Sequence, residues 1–168
     1  MPSVLQREAS DKPLDRIERH FERHNFGLFA AELRETQTFI GFVGLAVPTF
    51  DAPFMPSVEI GWRLAAEHWG KGLATEGARE VLRYAFETVG LNEIVSFTVP
   101  ANRQSRRVME KIGMAHNPAD DFEHPHLLVG HALRRHVLYR LFRTEWLSKT
   151  HSSLRTMSVR RGAPQSRS

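Results

Sequence analysis

One short segment of the sequence carries residues that suit the binding of a phosphate group. Gly70 and Gly72 flank Lys71 and precede a run with helical periodicity that begins at Leu73. Glycines let the backbone bend and admit a ligand closely, and the free N–H groups at a helix N-terminus attract anions. The spacing therefore predicts a phosphate or pyrophosphate site with Lys71 as a mobile cation, and a simple tight turn is the alternative.

Two better-known phosphate-binding motifs do not fit this segment. The dinucleotide-binding fingerprint requires a third small residue where Thr75 stands. The P-loop requires Gly-Lys-Ser/Thr after four spacer residues, whereas Gly72 follows Lys71 here. An anion bound at this position would contact backbone amides, for which no particular side chain is needed.

Hydrophobic patterns place the glycine segment between a strand and a long helix. Residues 58–64 alternate, with Ile60, Trp62 and Leu64 on one face and Glu59 on the other. The helical spacing that starts at residue 73 runs to residue 89 and ends at Gly90. Further elements predicted from periodicity and turn residues are a helix over 14–24 behind a Ser10/Asp11 cap, with Gly27 left-handed after it, strands over 28–33, 39–47, 93–99 and 136–142, a short helix that ends at Gly113, and a polar loop over 117–130. This order implies one mixed sheet covered by helices.

Composition and charge exclude several classes of function. The 168 residues contain no cysteine, which excludes disulfides, thiolate metal sites and a cysteine nucleophile. No apolar segment approaches the roughly 20 residues that span a bilayer, and the N-terminus has no apolar signal core. We therefore expect a soluble, cytoplasmic protein without membrane contact.

The basic charge is concentrated at the C-terminal end of the sequence. Residues 148–168 hold five of the 23 Lys and Arg and none of the 19 Asp and Glu, so the formal charge of +4 becomes −1 for residues 1–147. We interpret 148–168 as a basic, Ser-rich, disordered tail that follows a single domain over 1–147. A nearly neutral domain argues against a nucleic-acid partner.

The sequence WRLAAEHWGKGLATEGA (residues 62–78) resembles the acetyl-CoA-binding motif of the GNAT superfamily of N-acetyltransferases, in the form typical of its RimJ/RimL-like branch. FIGFVGL (39–45), VEIGWRL (58–64) and EIVSFTVPANRQSRRVMEKIGM (93–114) are similar to that branch's third strand, its fourth strand, and its fifth strand with the following helix. The resemblance covers residues 14–142 and implies an α/β (α+β) fold with a mixed, mostly antiparallel sheet flanked by helices. The family's first strand and most of its first helix would be absent, leaving a sheet edge that a second copy could cover in a homodimer.

The resemblance implies acetyl-CoA as co-substrate and a primary amine as acceptor. Residues 70–75 would cradle the pyrophosphate, residues 60–64 would line the pantetheine, and Asn102 would lie near the thioester. Trp69 stands where the superfamily pattern has Gln or Arg, which puts a side-chain phosphate contact there in doubt. The residues implied to bind the co-substrate are Ile60, Trp62, Arg63, Leu64, Trp69, Gly70, Lys71, Gly72, Leu73, Ala74, Thr75, Asn102 and Ser105.

Two residues are candidates for the proton transfers of the reaction. Glu59 lies on the strand beside the implied pantetheine channel, where a carboxylate could deprotonate the amine directly or through water; an exposed strand carboxylate is the alternative. Met109 stands where many family members have a tyrosine that protonates the leaving thiolate, so Ser105 or water would take that role. A non-catalytic acyl-CoA-binding or partner-binding protein of the same fold is the alternative function.

Two further polar clusters admit a structural and a functional interpretation. The His and Asp residues of 116–136 lack the regular spacing of a ligand set, so we expect no metal and a solvated or substrate-facing loop. The polar side of the short helix is either a solvated face or a contact for the 3′-phosphate of CoA. Its basic residues are Arg103, Arg106, Arg107 and Lys111.

Overall fold

Seven strands form one open sheet in the computed structural model, which describes residues 4–156, with side chains over 14–150. The chain runs α1 (Val4–His24), β1 (Leu28–Glu32), β2 (Phe39–Ala46), β3 (Glu59–Leu64), α2 (Leu73–Arg83), β4 (Glu93–Thr98), α3 (Arg103–Lys111), β5 (Ala115–His116), β6 (Phe122–Glu123), β7 (Arg135–Phe142) and α4 (Arg143–Thr156). The strands lie in the order β1-β2-β3-β4-β7-β5, with β6 paired to β7, and the β3–β4 pair is parallel while the others are antiparallel. The predicted mixed, mostly antiparallel sheet is confirmed, and within residues 4–156 no strand precedes β1.

The parallel strands β3 and β4 are joined only near their N-terminal ends. Glu59 is in register with Val95, and the Val95 amide donates to the Val58 carbonyl oxygen over 3.0 Å. One step further, Ser96 Oγ rather than a β4 amide donates to the Ile60 carbonyl oxygen over 2.9 Å. The strands consequently separate toward their C-terminal ends and leave a V-shaped opening in the sheet.

The free edge of β3 lines this opening with backbone polar groups. The Ala65 amide, just after β3, donates to the Ile40 carbonyl oxygen of β2 over 2.8 Å, so the backbone groups of Gly61 and Arg63 face β2 as well. Because backbone groups point alternately to the two sides of a strand, the N–H and C=O of Trp62 face β4. They lie past the last β3–β4 pair and therefore remain available to a ligand.

Two hydrophobic cores lie on opposite faces of the sheet. The main core packs α2 and α3 against one face, with Ile60 and Tyr139 among its buried members. The second core is small and contains Val95 and Phe122. Since Glu59 is opposite to Ile60 on its strand and in register with Val95, it lies on the face of the second core, as the alternation predicts.

The long predicted helix is present and ends where expected. Helix α2 continues through a π-helical stretch (Tyr84–Val89) to Gly90, whose φ of 78° lies in the left-handed region. The predicted loop over residues 117–130 holds the two-residue strand β6. The other predicted strands match β1, β2, β3, β4 and β7 within about two residues at each end.

The first predicted helix ends at His24 as expected, but its predicted start and the predicted left-handed residue after it were wrong. Ser10 and Asp11 lie inside α1, because the strong helix formers around them extend the helix toward the N-terminus. Asn25, with a φ of 60°, takes the left-handed position that was predicted for Gly27. Gly27 is needed for space instead, since a Cβ there would lie 2.6 Å from the ring of Phe21.

Helix α4 contradicts a disordered tail that begins at residue 148. The helix runs through Thr156, and two contacts tie it to the body of the protein. Trp146 packs against Phe86 with ring centroids 5.4 Å apart, and Lys149 Nζ donates to the Gly113 carbonyl oxygen over 2.8 Å. The remainder of the predicted tail, residues 157–168, lies outside the described residues.

Candidate active site

Helix α2 begins with backbone amides for which the described residues provide no acceptor. Gly70 and Gly72 have φ angles of 71° and 79°, in the left-handed region that favours glycine, and Gly72 is the N-cap. The first amide bonded back along the helix is that of Glu76, which donates to the Gly72 carbonyl oxygen over 3.0 Å. Within the described residues, the amides of residues 70–75 have no hydrogen-bond acceptor. Their arrangement fits an anionic ligand.

A cleft of about 490 Å³ opens between the start of α2, the end of β3 and α3. Such a volume suits a small-molecule ligand. Most of the predicted co-substrate-binding residues line it: Trp62, Arg63, Leu64, Trp69, Gly70, Gly72, Leu73, Ala74, Thr75, Asn102 and Ser105. Ile60 and Lys71 do not line the cleft, since Ile60 is fully buried in the main core and Lys71 is exposed.

The connector between β3 and α2 is held by the side chain of Trp69. Its indole Nε1 donates to the Leu64 carbonyl oxygen over 2.8 Å. The ring is nevertheless 54% exposed and contributes to the cleft wall. Trp69 therefore holds the conformation of the loop that carries Gly70 and Gly72. A Gln or Arg at this position would instead extend toward the phosphate.

Asn102 uses its side chain to position the start of α3. Its Oδ1 accepts from the Ser105 amide over 3.2 Å, and its Nδ2 donates to Thr98 Oγ1 over 3.1 Å. An N-cap of this kind stabilises a helix by about 1 kcal/mol. The cap fixes α3 against the end of β4 and holds the Ser105 residue at the cleft.

Four residues of α3 also line the cleft, and for two of them, Arg107 and Lys111, a contact with the 3′-phosphate was one of the two alternatives left open. The other two, Gln104 and Val108, were not predicted, and their helical spacing with Arg107 and Lys111 was the signal that could have found them. Arg107 and Lys111 bring positive charge to the cleft. Arg106, in contrast, donates to Tyr139 Oη and to the Pro100 carbonyl oxygen, both over 3.2 Å.

His68 lines the cleft, although no sequence pattern indicated it as a site residue. Its Nδ1 is buried and has no hydrogen-bond partner in the part of the chain that the structure describes. A buried polar nitrogen without a partner costs free energy unless a ligand or a water molecule satisfies it. The His68 ring is thus a further group that a bound molecule could contact.

Glu59 lies at the base of the V-shaped opening, on the sheet face opposite to the main core. Within the described residues its carboxylate has neither a hydrogen bond nor an ion pair. Burial raises the pKa of Glu59 to about 7, because the ionised form loses hydration and gains no compensating partner. Near neutral pH the carboxyl group therefore exists in both protonation states, which suits a general base.

Neither tyrosine of the chain lines the cleft, so the structure offers no phenol as a proton donor there. Tyr84 Oη donates to the Asn25 carbonyl oxygen and Tyr139 Oη to Glu110 Oε1, both over 3.1 Å. Met109, at the position where many family members have tyrosine, is 1% exposed and packs in the main core.

The histidine-rich region does not assemble a metal site within the described residues. His116 Nε2 instead lies 2.7 Å from Asp121 Oδ1, and its ring stacks on Tyr139. Among the described helices, none is both long and apolar enough to cross a membrane.

The glycine-opened helix, the separated parallel strands and the cleft between them match an established protein family. Residues 1–115 match the family model described as an acetyltransferase (GNAT) domain. The chain belongs to the GNAT acetyltransferase family. The predicted superfamily and enzyme class, an acyltransferase, are thereby confirmed.

Named relatives of this GNAT domain are also acetyltransferases. The FsC-acetyl coenzyme A-N(2)-transacetylase of Aspergillus fumigatus is 37% identical over 124 residues, which are 69% of this chain and 51% of that protein. The putative ribosomal N-acetyltransferase YdaF of Bacillus subtilis is 36% identical over 89 residues, which are 52% of this chain and 46% of that protein. The crystal structure of an acetyltransferase from Agrobacterium tumefaciens superposes with a TM-score of 0.56 at 31% identity, covering 73% of this chain and 64% of that one. The chain spans about half the length of the curated relatives it matches.

Proposed function

We propose that this GNAT domain transfers an acetyl group from acetyl-CoA to a primary amine by direct attack within a ternary complex. The observation that carries the proposal is the position of the unpaired amides of residues 70–75 beside the opening between β3 and β4. CoA carries a pyrophosphate followed by a chain with two amide groups. These features are complementary to a row of free N–H groups followed by the free edge of a strand.

Different residues of the cleft bind different parts of acetyl-CoA. The amides of residues 70–75 hold the pyrophosphate, and the free backbone groups of Trp62 pair with the pantetheine. Arg107 and Lys111 supply the cations for the 3′-phosphate. An N–H of β3 at the opening polarises the thioester carbonyl as a single-donor oxyanion site.

Glu59 acts as the general base, on the sheet face opposite to the cleft. It accepts one proton from the ammonium form of the acceptor, and the neutral amine then attacks the carbonyl carbon. A C–N bond forms as the C–S bond breaks, and the thiolate leaves with the electron pair. The second amine proton protonates that thiolate through Ser105 or water, and Glu59 returns its proton to solvent. The demand on this acid is mild, since a thiol has a pKa near 8.5.

The acceptor is either a protein N-terminus or a small-molecule amine. We place the chain in the RimJ/RimL-like branch, which the match to a relative named as a putative ribosomal N-acetyltransferase supports. Holding amine and thioester together removes the entropy cost of a bimolecular encounter, which supplies much of the rate.

Thermal unfolding with and without acetyl-CoA tests the donor, and release of free thiol with a panel of amines tests the reaction. Acetyl-CoA at about 100 times its dissociation constant should stabilise the fold by about 2.7 kcal/mol. No shift at millimolar acetyl-CoA would contradict the donor assignment. A shift without thiol release for any amine would favour the non-catalytic acyl-CoA-binding alternative.

A further inference from the structure

A cluster of aromatic and imidazole rings occupies the sheet face on which Glu59 lies. Phe50 is at its centre, with ring centroids 4.5 Å from His124, 5.8 Å from His126 and 5.7 Å from Phe97. His124 and His136 are 5.1 Å apart. The aromatic–histidine patch consists of Phe50, Phe97, Phe122, His124, His126 and His136.

The patch is not sealed from solvent as a core would be. Phe122 is buried, but Phe50, Phe97 and His124 are half-buried, and His126 is exposed. Burial, followed by the neighbouring His136 and His126, lowers the pKa of His124, which favours the uncharged ring. The patch therefore presents ring surfaces that a ligand can cover.

The patch begins beside Glu59. Val95 is in register with Glu59, and Phe97 lies two residues further along β4 on the same face, about 7 Å away along the strand. Phe97 contacts Phe122 and His136 with ring centroids 5.4 Å and 6.1 Å away. A molecule on the patch can consequently place a short side arm at the Glu59 carboxylate and at the opening beyond it.

The carboxylates around the patch are already paired with arginines. Arg140 contacts Glu93 at 2.6 Å and Asp120 at 3.0 Å. Asp121 and Glu123 are paired with Arg135 and Arg134 at 3.2 Å and 3.1 Å. Asp51 and Glu59 are the carboxylates near the patch that have no cation partner in the described residues, and Asp51 is exposed. Such a surface is poorly suited to a polycation, which needs several free carboxylates.

We propose that the aromatic–histidine patch binds the carbon skeleton of the acceptor, and that the acceptor class is an arylalkylamine rather than a polyamine. The inference rests on the proposed function. The aryl ring of the acceptor packs on Phe50 and Phe97, and its ethylamine arm reaches Glu59. Edge-to-face and offset contacts of this kind add about 0.5–1.5 kcal/mol beyond simple burial, which corresponds to about 2–10-fold in affinity.

Steady-state thiol release from acetyl-CoA by the full chain compares 2-phenylethylamine with n-hexylamine and spermidine. We expect the highest kcat/KM for 2-phenylethylamine. Phe50→Leu and the exposed-site variant His126→Ala should each lower its kcat/KM by about 2–10-fold, through KM, without changing the KM for acetyl-CoA. His131→Ala is the matched control, because His131 is exposed in the same loop and makes no ring contact with the patch. Preference for spermidine or hexylamine, or equal values for wild type and both patch variants, overturns the inference.

Calorimetric titration of the same amines into the protein saturated with CoA separates this inference from the proposed function. Absence of turnover together with 2-phenylethylamine binding that Phe50→Leu weakens would refute the catalytic proposal and support the patch as a binding site. Absence of binding, or binding that the substitution does not affect, overturns the patch as an arylalkylamine site whatever the turnover.

Discussion

Replacing Glu59 with Gln should make the folded protein more stable at alkaline pH and a poorer catalyst. Gln keeps the shape of the side chain and removes its charge. The pKa of Glu59 is raised from 4.5 to about 7 by burial. At pH 8 the native protein therefore holds an ionised carboxylate in a site that favours the neutral acid, and the unfolded chain bears no such penalty.

The size and pH range of the effect follow from this pKa. Below pH 4.5 the carboxyl group is protonated in both states and its ionisation contributes nothing. Between pH 4.5 and 7 the unfolded state binds fewer protons than the native state, so the free energy of unfolding falls with pH. Above pH 7 the penalty is constant at up to about 3 kcal/mol. Removing it should raise Tm at pH 8 by up to about 6–12 °C for a chain of this length.

Differential scanning calorimetry of wild type and Glu59→Gln at pH 4.5 and at pH 8 measures this difference. The Tm gain should be larger at pH 8, and Glu32→Gln, at an exposed position on β1, should show no such dependence. In the pH profile of kcat/KM the substitution should also remove an inflection near pH 7. The same Tm difference at both pH values would refute a buried, uncompensated carboxylate at this position. An unchanged pH profile would remove Glu59 from the mechanism.

Three further predictions concern the cleft and the opening. Gly72→Ala and Gly90→Ala should each lower the free energy of unfolding by about 1 kcal/mol, because both φ angles are positive. Only Gly72→Ala should weaken acetyl-CoA binding in calorimetric titration. Equal affinities of the two variants would show that the α2 amides do not contact acetyl-CoA. Arg107→Ala should weaken acetyl-CoA binding about 3–30-fold, and this loss of affinity should be smaller at high salt. A loss of affinity that does not depend on ionic strength would contradict a contact between Arg107 and phosphate. Ser96→Ala should cost about 1–3 kcal/mol in urea unfolding by leaving a buried carbonyl oxygen unsatisfied, and an unchanged midpoint would show that a β4 amide replaces the hydroxyl.

The backbone conformation around the cleft could be predicted where it depends on local spacing. The glycines at 70 and 72 and the alternation around Ile60 are local features, and the structure places them as expected. The end of the β3–β4 ladder could not be predicted, because it depends on a contact between Ser96 and Ile60, which lie far apart in the sequence. Long-range contacts of this kind are absent from periodicity and propensity.

The prediction for residues 148–156 failed because tertiary contacts outweigh composition there. Residues 148–156 are polar and basic, and composition alone favours a solvated tail. Helix α4 is nevertheless anchored through Trp146 on Phe86 and Lys149 on the Gly113 carbonyl oxygen. Packing of one face is what stabilises most helices of this length, and neither anchor can be recognised from the segment itself.

The position of Glu59 gives an argument for its role that does not depend on family resemblance. A carboxylate without a partner in a buried site lowers stability at neutral pH, and glutamine of the same shape would avoid that penalty. Among the described residues, no hydrogen bond or ion pair requires a charge at Glu59. The side chain lies where the sheet opens, with the α2–α3 cleft on one face and the aromatic–histidine patch on the other. In the proposed reaction an amine on the patch and a thioester in the cleft would meet at that opening, where a proton acceptor would serve the reaction although its charge destabilises the fold.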